Sequence, residues 1–167
     1  MRFILLGFLL LGLSFAVTEK EFKEDRAYLS RVEKRLEELD RRAQKEGPKT
    51  EIIDELNSYG YPLYSMKDKY MLEEGSRFQR FYRRVSAVYE KLLYVKRGLF
   101  PKILFEEAKE LKIPVCRVKA EGEGRKRLTI GIKDPKSEKD VLKLMTQTQL
   151  RYAQLLGIEE INFKKCR

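Results

Sequence analysis

The chain has no histidine, no tryptophan and only two cysteines among its 167 residues. Without histidine there is no imidazole general base, no serine–histidine or cysteine–histidine nucleophile and no histidine metal ligand. The two cysteines, Cys116 and Cys166, stand far apart in sequence with no histidine near them, so zinc-ligand spacing is absent. No glycine-rich phosphate loop is present, because Gly122-x-Gly124 lies in a turn between two strand-like segments, and there is no Gly-x-Ser-x-Gly elbow. Catalytic residues, a cofactor and a metal are therefore not assigned. Carboxylates are abundant, and a paired-carboxylate hydrolase is retained as the weakest of three readings.

A long hydrophobic run is also missing. Phe3–Leu13 is the one sustained apolar stretch, and it is shorter than the roughly 20 residues of a membrane-spanning helix. Arg2 precedes it, and Ser14-Phe15-Ala16 puts small residues at the −3 and −1 positions of a cut after Ala16. This is the pattern of a secretory signal peptide over 1–16, with an uncleaved anchor as the alternative. The expected location is extracytoplasmic, periplasmic or secreted, or else anchored in the inner membrane. In an oxidising compartment the two cysteines are expected to form a Cys116–Cys166 disulfide.

Charged residues make up 37% of the chain and hydrophobic residues 43%. The excess of Lys, Arg and Glu with few amides fits a heat-adapted protein built on surface ion pairs. The net charge is +10. Basic character implies an anionic surface or an acidic protein as partner, with membrane association and helix-mediated self-association as further expectations. Export argues against nucleic acid.

Residues 17–100 are expected to be helical and coiled-coil-like. Thr18-Glu19-Lys20-Glu21 is a capping box for a helix reaching Glu46. Phe22, Leu29, Val32, Leu36, Leu39 and Ala43 make a heptad-like apolar stripe along it. Glu19–Lys23, Glu37–Arg41 and Glu38–Arg42 are spaced for pairs within the helix. A short helix over Thr50–Ser58, a turn over Tyr59–Tyr64, a helix from Ser65 and a break at Gly75-Ser76 are expected next, with Ser76 and Gln79 as a second capping box. From Ser76 a helix runs to about Arg97, ahead of Gly98 and Pro101. It concentrates Arg77, Arg80, Arg83, Arg84, Lys91, Lys96, Arg97 and Lys102 against a single acid, Glu90. Arg77, Arg80, Arg83, Arg84 and Lys91 are the candidate residues for an anionic partner. The alternative is a solvated flank of a helix that buries Phe78, Phe81, Val85, Val88 and Leu92.

Residues 101–167 read as a small α-β-β-α-β module, making the whole chain α+β. The expected elements are a helix over Pro101–Lys112, strands at Val115–Ala120 and Arg127–Lys133, a helix over Ser137–Leu156 and a strand at Ile158–Lys165. A sheet order of 2-1-3 is expected. It places the two cysteines on neighbouring strands, whereas the other order separates those strands by roughly 9–10 Å.

Leu128-Thr129-Ile130-Gly131-Ile132 followed by Ser137, Val141 and Leu144-Met145 looks like the strand-to-helix step of a ferredoxin-like domain. With the apolar N-terminal run and the helical region, the outline resembles bitopic assembly proteins of type IV pili and type II secretion systems. The resemblance implies a membrane-anchored assembly component. The chain departs from that pattern in its short hydrophobic segment, its cleavage site and its smaller number of strands. The leading reading is an exported, non-enzymatic binding or scaffold protein of the cell envelope.

Overall fold

The computed structural model describes residues 16–144 and 155–166. The leader and the middle of the helix expected after Ser137 lie outside the described residues. Three long helices come first: α1 (Glu19–Glu46), α2 (Thr50–Met71) and α3 (Ser76–Glu110). A small α+β part follows, with β1 (Val115–Glu121), a 3-10 turn at Glu123–Arg125, β2 (Arg127–Ile132), α4 (Ser137–Leu144) and β3 (Glu160–Lys165).

Helix α1 starts where its capping box requires. The Glu21 amide donates to the Thr18 hydroxyl, and the Glu21 carboxylate accepts from the Thr18 amide. All six residues of the apolar stripe, Phe22 to Ala43, are buried. Cross-helix pairs give the bundle its direction. Asp25–Lys69 and Arg35–Glu55 make α1 and α2 antiparallel, and Glu19–Arg77, Glu33–Arg84 and Glu37–Lys91 make α1 and α3 parallel.

Two local breaks expected from the sequence do not occur. Helix α2 is continuous through Gly60 and Pro62, and α3 is continuous through Gly98 and Pro101. A proline inside a helix removes one hydrogen bond and costs about 3 kcal/mol in isolation. Burial outweighs this here. Ile52, Leu56, Leu63, Met66 and Tyr70 hold one side of α2 in the core. Val95, Leu99, Phe100, Leu104 and Ala108 do the same on α3. The break at Gly75-Ser76 is present, but Gly75, with φ 107°, precedes the helix, and no side chain caps it. Gln79 instead donates to the Glu73 carbonyl.

Helix α3 serves two cores. One is the bundle core, which includes Leu99; the other begins at Phe100 and gathers Leu104, Ala108, Val115, Leu128, Ile130, Ile132, Val141 and Leu156. At one end of the bundle Phe22, Tyr70, Phe78 and Phe81 stack at centroid distances of 4.6–5.9 Å.

The sheet order is β1-β2-β3, with β1 antiparallel and β3 parallel to β2. This corrects the expected order 2-1-3. The disulfide nevertheless forms, because the assumed distance across the middle strand is shortened. Cys116 sits in a bulge, with Val115 opposite Ile132 and Arg117 opposite Gly131. The Cys166 amide donates to the Ile132 carbonyl, so both cysteines lie at the same end of β2. The Cys116–Cys166 bridge crosses β2 with a Cα–Cα distance of 6.3 Å. Gly131 makes the crossing possible. A Cβ there would lie 2.6 Å from the Cys116 sulfur and 2.8 Å from Arg117 Cγ.

Substituting Gly131→Ala is expected to obstruct the bridge and cost about 1–3 kcal/mol through overpacking. A native thiol count and a thermal melt check this. The tyrosines give a second expectation. Tyr70 donates to Asp25 Oδ2 (2.8 Å) and Tyr59 to Glu55 Oε1 (2.9 Å). Burial, reinforced by the facing carboxylates, raises both phenols, Tyr59 to about 12. A group raised on folding stabilises below its unfolded value, and that contribution is lost as pH rises through the folded value. The melting temperature should therefore fall between about pH 10 and 12, and less steeply in Tyr59→Phe/Tyr70→Phe.

Candidate functional site

The five cationic residues expected to form one patch on α3 divide into two groups. Arg77, Arg84 and Lys91 recur every seven residues, a spacing that puts them on one helix face. That face meets α1. Arg77 pairs with Glu19 (2.9 Å), Arg84 with Glu33 (2.7 Å) and Lys91 with Glu37 (2.7 Å). Arg84 also donates to the Ser30 hydroxyl, and the Arg77 guanidinium lies 4.6 Å from the centre of the Phe78 ring. Lys91 holds the Glu37 carboxyl below the usual range. The acids of α1 thus reach across to α3 instead of forming the three pairs expected within α1. Glu38 turns to Arg35, and Arg42 to Glu46. Arg80 and Arg83 remain exposed, with no ion pair among the described residues.

One further heptad step along the stripe from Lys91 is Gly98, and here the partner comes from the sheet. Arg125, in the β1–β2 turn with φ 57°, lays its guanidinium 3.9 Å from the centre of the Tyr94 ring. It also donates to Asp40 Oδ1 (3.0 Å) and to the Tyr94 carbonyl (3.2 Å). A Cβ at Gly98 would lie 2.4 Å from the Arg125 Nη1. The glycine in the middle of α3 is the seat of this arginine.

Arg97, expected as a helix-terminal charge, is fully buried. Its Nη1 donates to the Leu156 carbonyl (2.7 Å), and its Nη2 pairs with Glu90, whose side chain is 53% exposed. Gly124 and Gly157, with φ of 63° and 71°, turn the chain on either side of it. Arg97 Nε is buried without a hydrogen-bond partner among the described residues. Sequence spacing does not mark this residue as buried, because the carbonyl it meets comes from a segment 59 residues away.

The sheet turns Leu128, Ile130 and Ile132 to the helices, and strand alternation sends their neighbours to the opposite face. At one end of that face Thr129 donates to Glu121 (2.9 Å), Arg127 to Glu160 (2.7 Å) and Asn162 to Glu160 (2.7 Å). Asn162 and then Arg127 hold the Glu160 carboxyl low. The other end is cationic. Arg117, Lys164, Lys165 and the disulfide line a concavity of about 510 Å³ with no acid in its wall. None of these three cations makes an ion pair among the described residues. Arg117 and Lys165 flank the cysteines in sequence. Lys164 joins them only through the register, which sets both Arg117 and Lys164 beside Gly131.

Among the described residues no group of three or more His, Cys, Asp or Glu side chains is placed to hold a metal ion. No described helix is long and apolar enough to cross a membrane.

The chain is 32% identical over 148 residues to an Aquifex aeolicus (strain VF5) protein that is described only as uncharacterized. The match covers 87% of this chain and 89% of that one. No family model matches the chain, and no solved structure matches it.

Removing the Arg97 guanidinium leaves the Leu156 carbonyl without its donor and empties a buried site. Arg97→Ala should cost about 2–5 kcal/mol through the cavity and the unpaired carbonyl. Chemical denaturation checks this, and the melting of Arg125→Ala, which keeps the buried guanidinium, should fall by less.

Proposed function

The chain belongs to the family of that Aquifex aeolicus protein, and we propose that it is an exported protein of the cell envelope that acts by binding. In this reading the anionic partner seats against the concavity beside Cys116–Cys166. The observation that carries it is the wall of that concavity, with Arg117, Lys164 and Lys165 and no acid. Cations clustered without a counter-charge inside the fold repel one another, and an incoming anion relieves that repulsion. Export is supported by the leader pattern, by the disulfide, which suits an oxidising compartment, and by a capped helix that begins just after the expected cut. A membrane-anchored assembly component is the second reading. It is favoured by the Val17 amide, which is held by Glu73 and keeps the start of the folded region at one end of the bundle.

Binding of inorganic polyphosphate at low salt, followed by calorimetry, tests the site. Arg117→Glu/Lys164→Glu should weaken it by about tenfold or more while leaving the disulfide formed. Equal affinity in the variant defeats the reading. N-terminal sequencing of the native protein after fractionation tests export. A start at Val17 in a soluble extracytoplasmic fraction supports the leading reading, and an intact Met1 in the membrane fraction supports the second.

A further inference from the structure

Core packing leaves two features at one end of the bundle unexplained. The turn between α2 and α3 presents Met71, 51% exposed, and Leu72, 80% exposed. Val17 lies at the same turn. The Val17 amide donates to Glu73 Oε1 (3.1 Å), and the Val17 side chain packs on the bundle core. The apolar run Phe3–Leu13 is therefore joined to the fold at residues that touch the turn carrying Leu72.

The charges around this end are unequal in their commitments. Glu19 is held by Arg77, Asp25 by Lys69 and Glu24 by Lys20. Glu21 closes the capping box, and Glu73 holds the Val17 amide. Lys23, Arg26, Arg80 and Arg83 are exposed and make no ion pair among the described residues, and Asp68 and Glu74 are exposed acids without one, so the cations are in excess by two. Arg80 and Arg83 stand about 6 and 10 Å along α3 from Ser76. Long arginine side chains reach back over such distances.

We propose that this end of the bundle docks on an anionic phospholipid surface. Met71 and Leu72 enter the boundary between headgroups and acyl chains, and Lys23, Arg26, Arg80 and Arg83 lie against the headgroups. Two exposed apolar side chains beside uncompensated cations match that interface, whose interior is apolar and whose surface is negative. An acidic protein would satisfy the cations but leave Leu72 without a reason. The inference rests on the reading that the chain works in the envelope. It does not involve the concavity at the disulfide, so the two fail separately.

The absence of tryptophan supplies the probe. Leu72→Trp in the full chain introduces a single indole at the turn. Leu111→Trp introduces one at the far end of α3, where Leu111 is 61% exposed. With vesicles of phosphatidylglycerol and phosphatidylcholine, Leu72→Trp emission should shift to the blue and be quenched by brominated lipid. Vesicles of phosphatidylcholine alone should leave it unshifted, and Leu111→Trp should stay water-like in both. Adding Arg80→Glu/Arg83→Glu should abolish the shift while the circular dichroism melt stays cooperative. The proposal is overturned if emission from Leu72→Trp is unchanged by anionic vesicles, or if both probes shift alike. It is also overturned if the shift survives charge reversal, which would assign it to the leader alone. A shift produced equally by soluble polyglutamate would replace the lipid with an acidic protein surface.

Discussion

The fold depends on a guanidinium placed where α3 passes from one core to the other. Arg97 lies between the bundle core and the sheet core, with Gly124 of the β1–β2 turn and Gly157, both at positive φ, beside it. A buried charge is costly unless it is paired and hydrogen-bonded. Here Glu90 supplies the counter-charge and Leu156 a carbonyl. Its Nη1 meets the Leu156 carbonyl only when the segment before β3 is in place. Arg125 makes the reciprocal contact, reaching from the β1–β2 turn to Asp40 and Tyr94. Together the two arginines tie the small sheet to the bundle from both sides of Gly98.

This arrangement explains why α3 continues through two residues that usually end helices. Gly98 leaves the space in which the Arg125 guanidinium lies, and Pro101 is tolerated because Phe100 and Leu104 beside it are fully buried. Propensity is a local preference of about 1 kcal/mol for glycine and about 3 for proline. A run of buried side chains on both sides of a break outweighs it. The same competition decided α2, where Leu63 and Met66 follow Pro62 into the core.

What could be read from the sequence follows from whether the determining partner is local. The capping box at Thr18 and the α1 stripe are satisfied within one helix, and both appear as expected. The α+β class followed from the change of period after Lys112. The sheet order could not be read, because it depended on how far one disulfide can reach, and that reach depends on a bulge at Cys116 and on Gly131 lacking a side chain. The cationic residues of α3 were legible as a cluster. Their partners were not, since ion pairs from α1 claim three of them only once the helices are parallel. Lys164 became part of a cationic wall only through strand register.

The distribution of charge then bears on what kind of protein this is. Ion pairs between the helices absorb much of the basic character, in the way a thermally hardened bundle uses charge. Many cations along the helices and the sheet make no ion pair among the described residues, and two groups of them stand out. One is the turn end of the bundle, with Lys23, Arg26, Arg80 and Arg83. The other is the sheet face around Arg117, Lys164 and Lys165. Helix α3 starts at the first and leads into β1 near the second. At 1.5 Å per residue its 35 residues span about 50 Å. Arg97 and Arg125 tie that helix to the segments around it, so the separation between the two cationic groups is set by the fold.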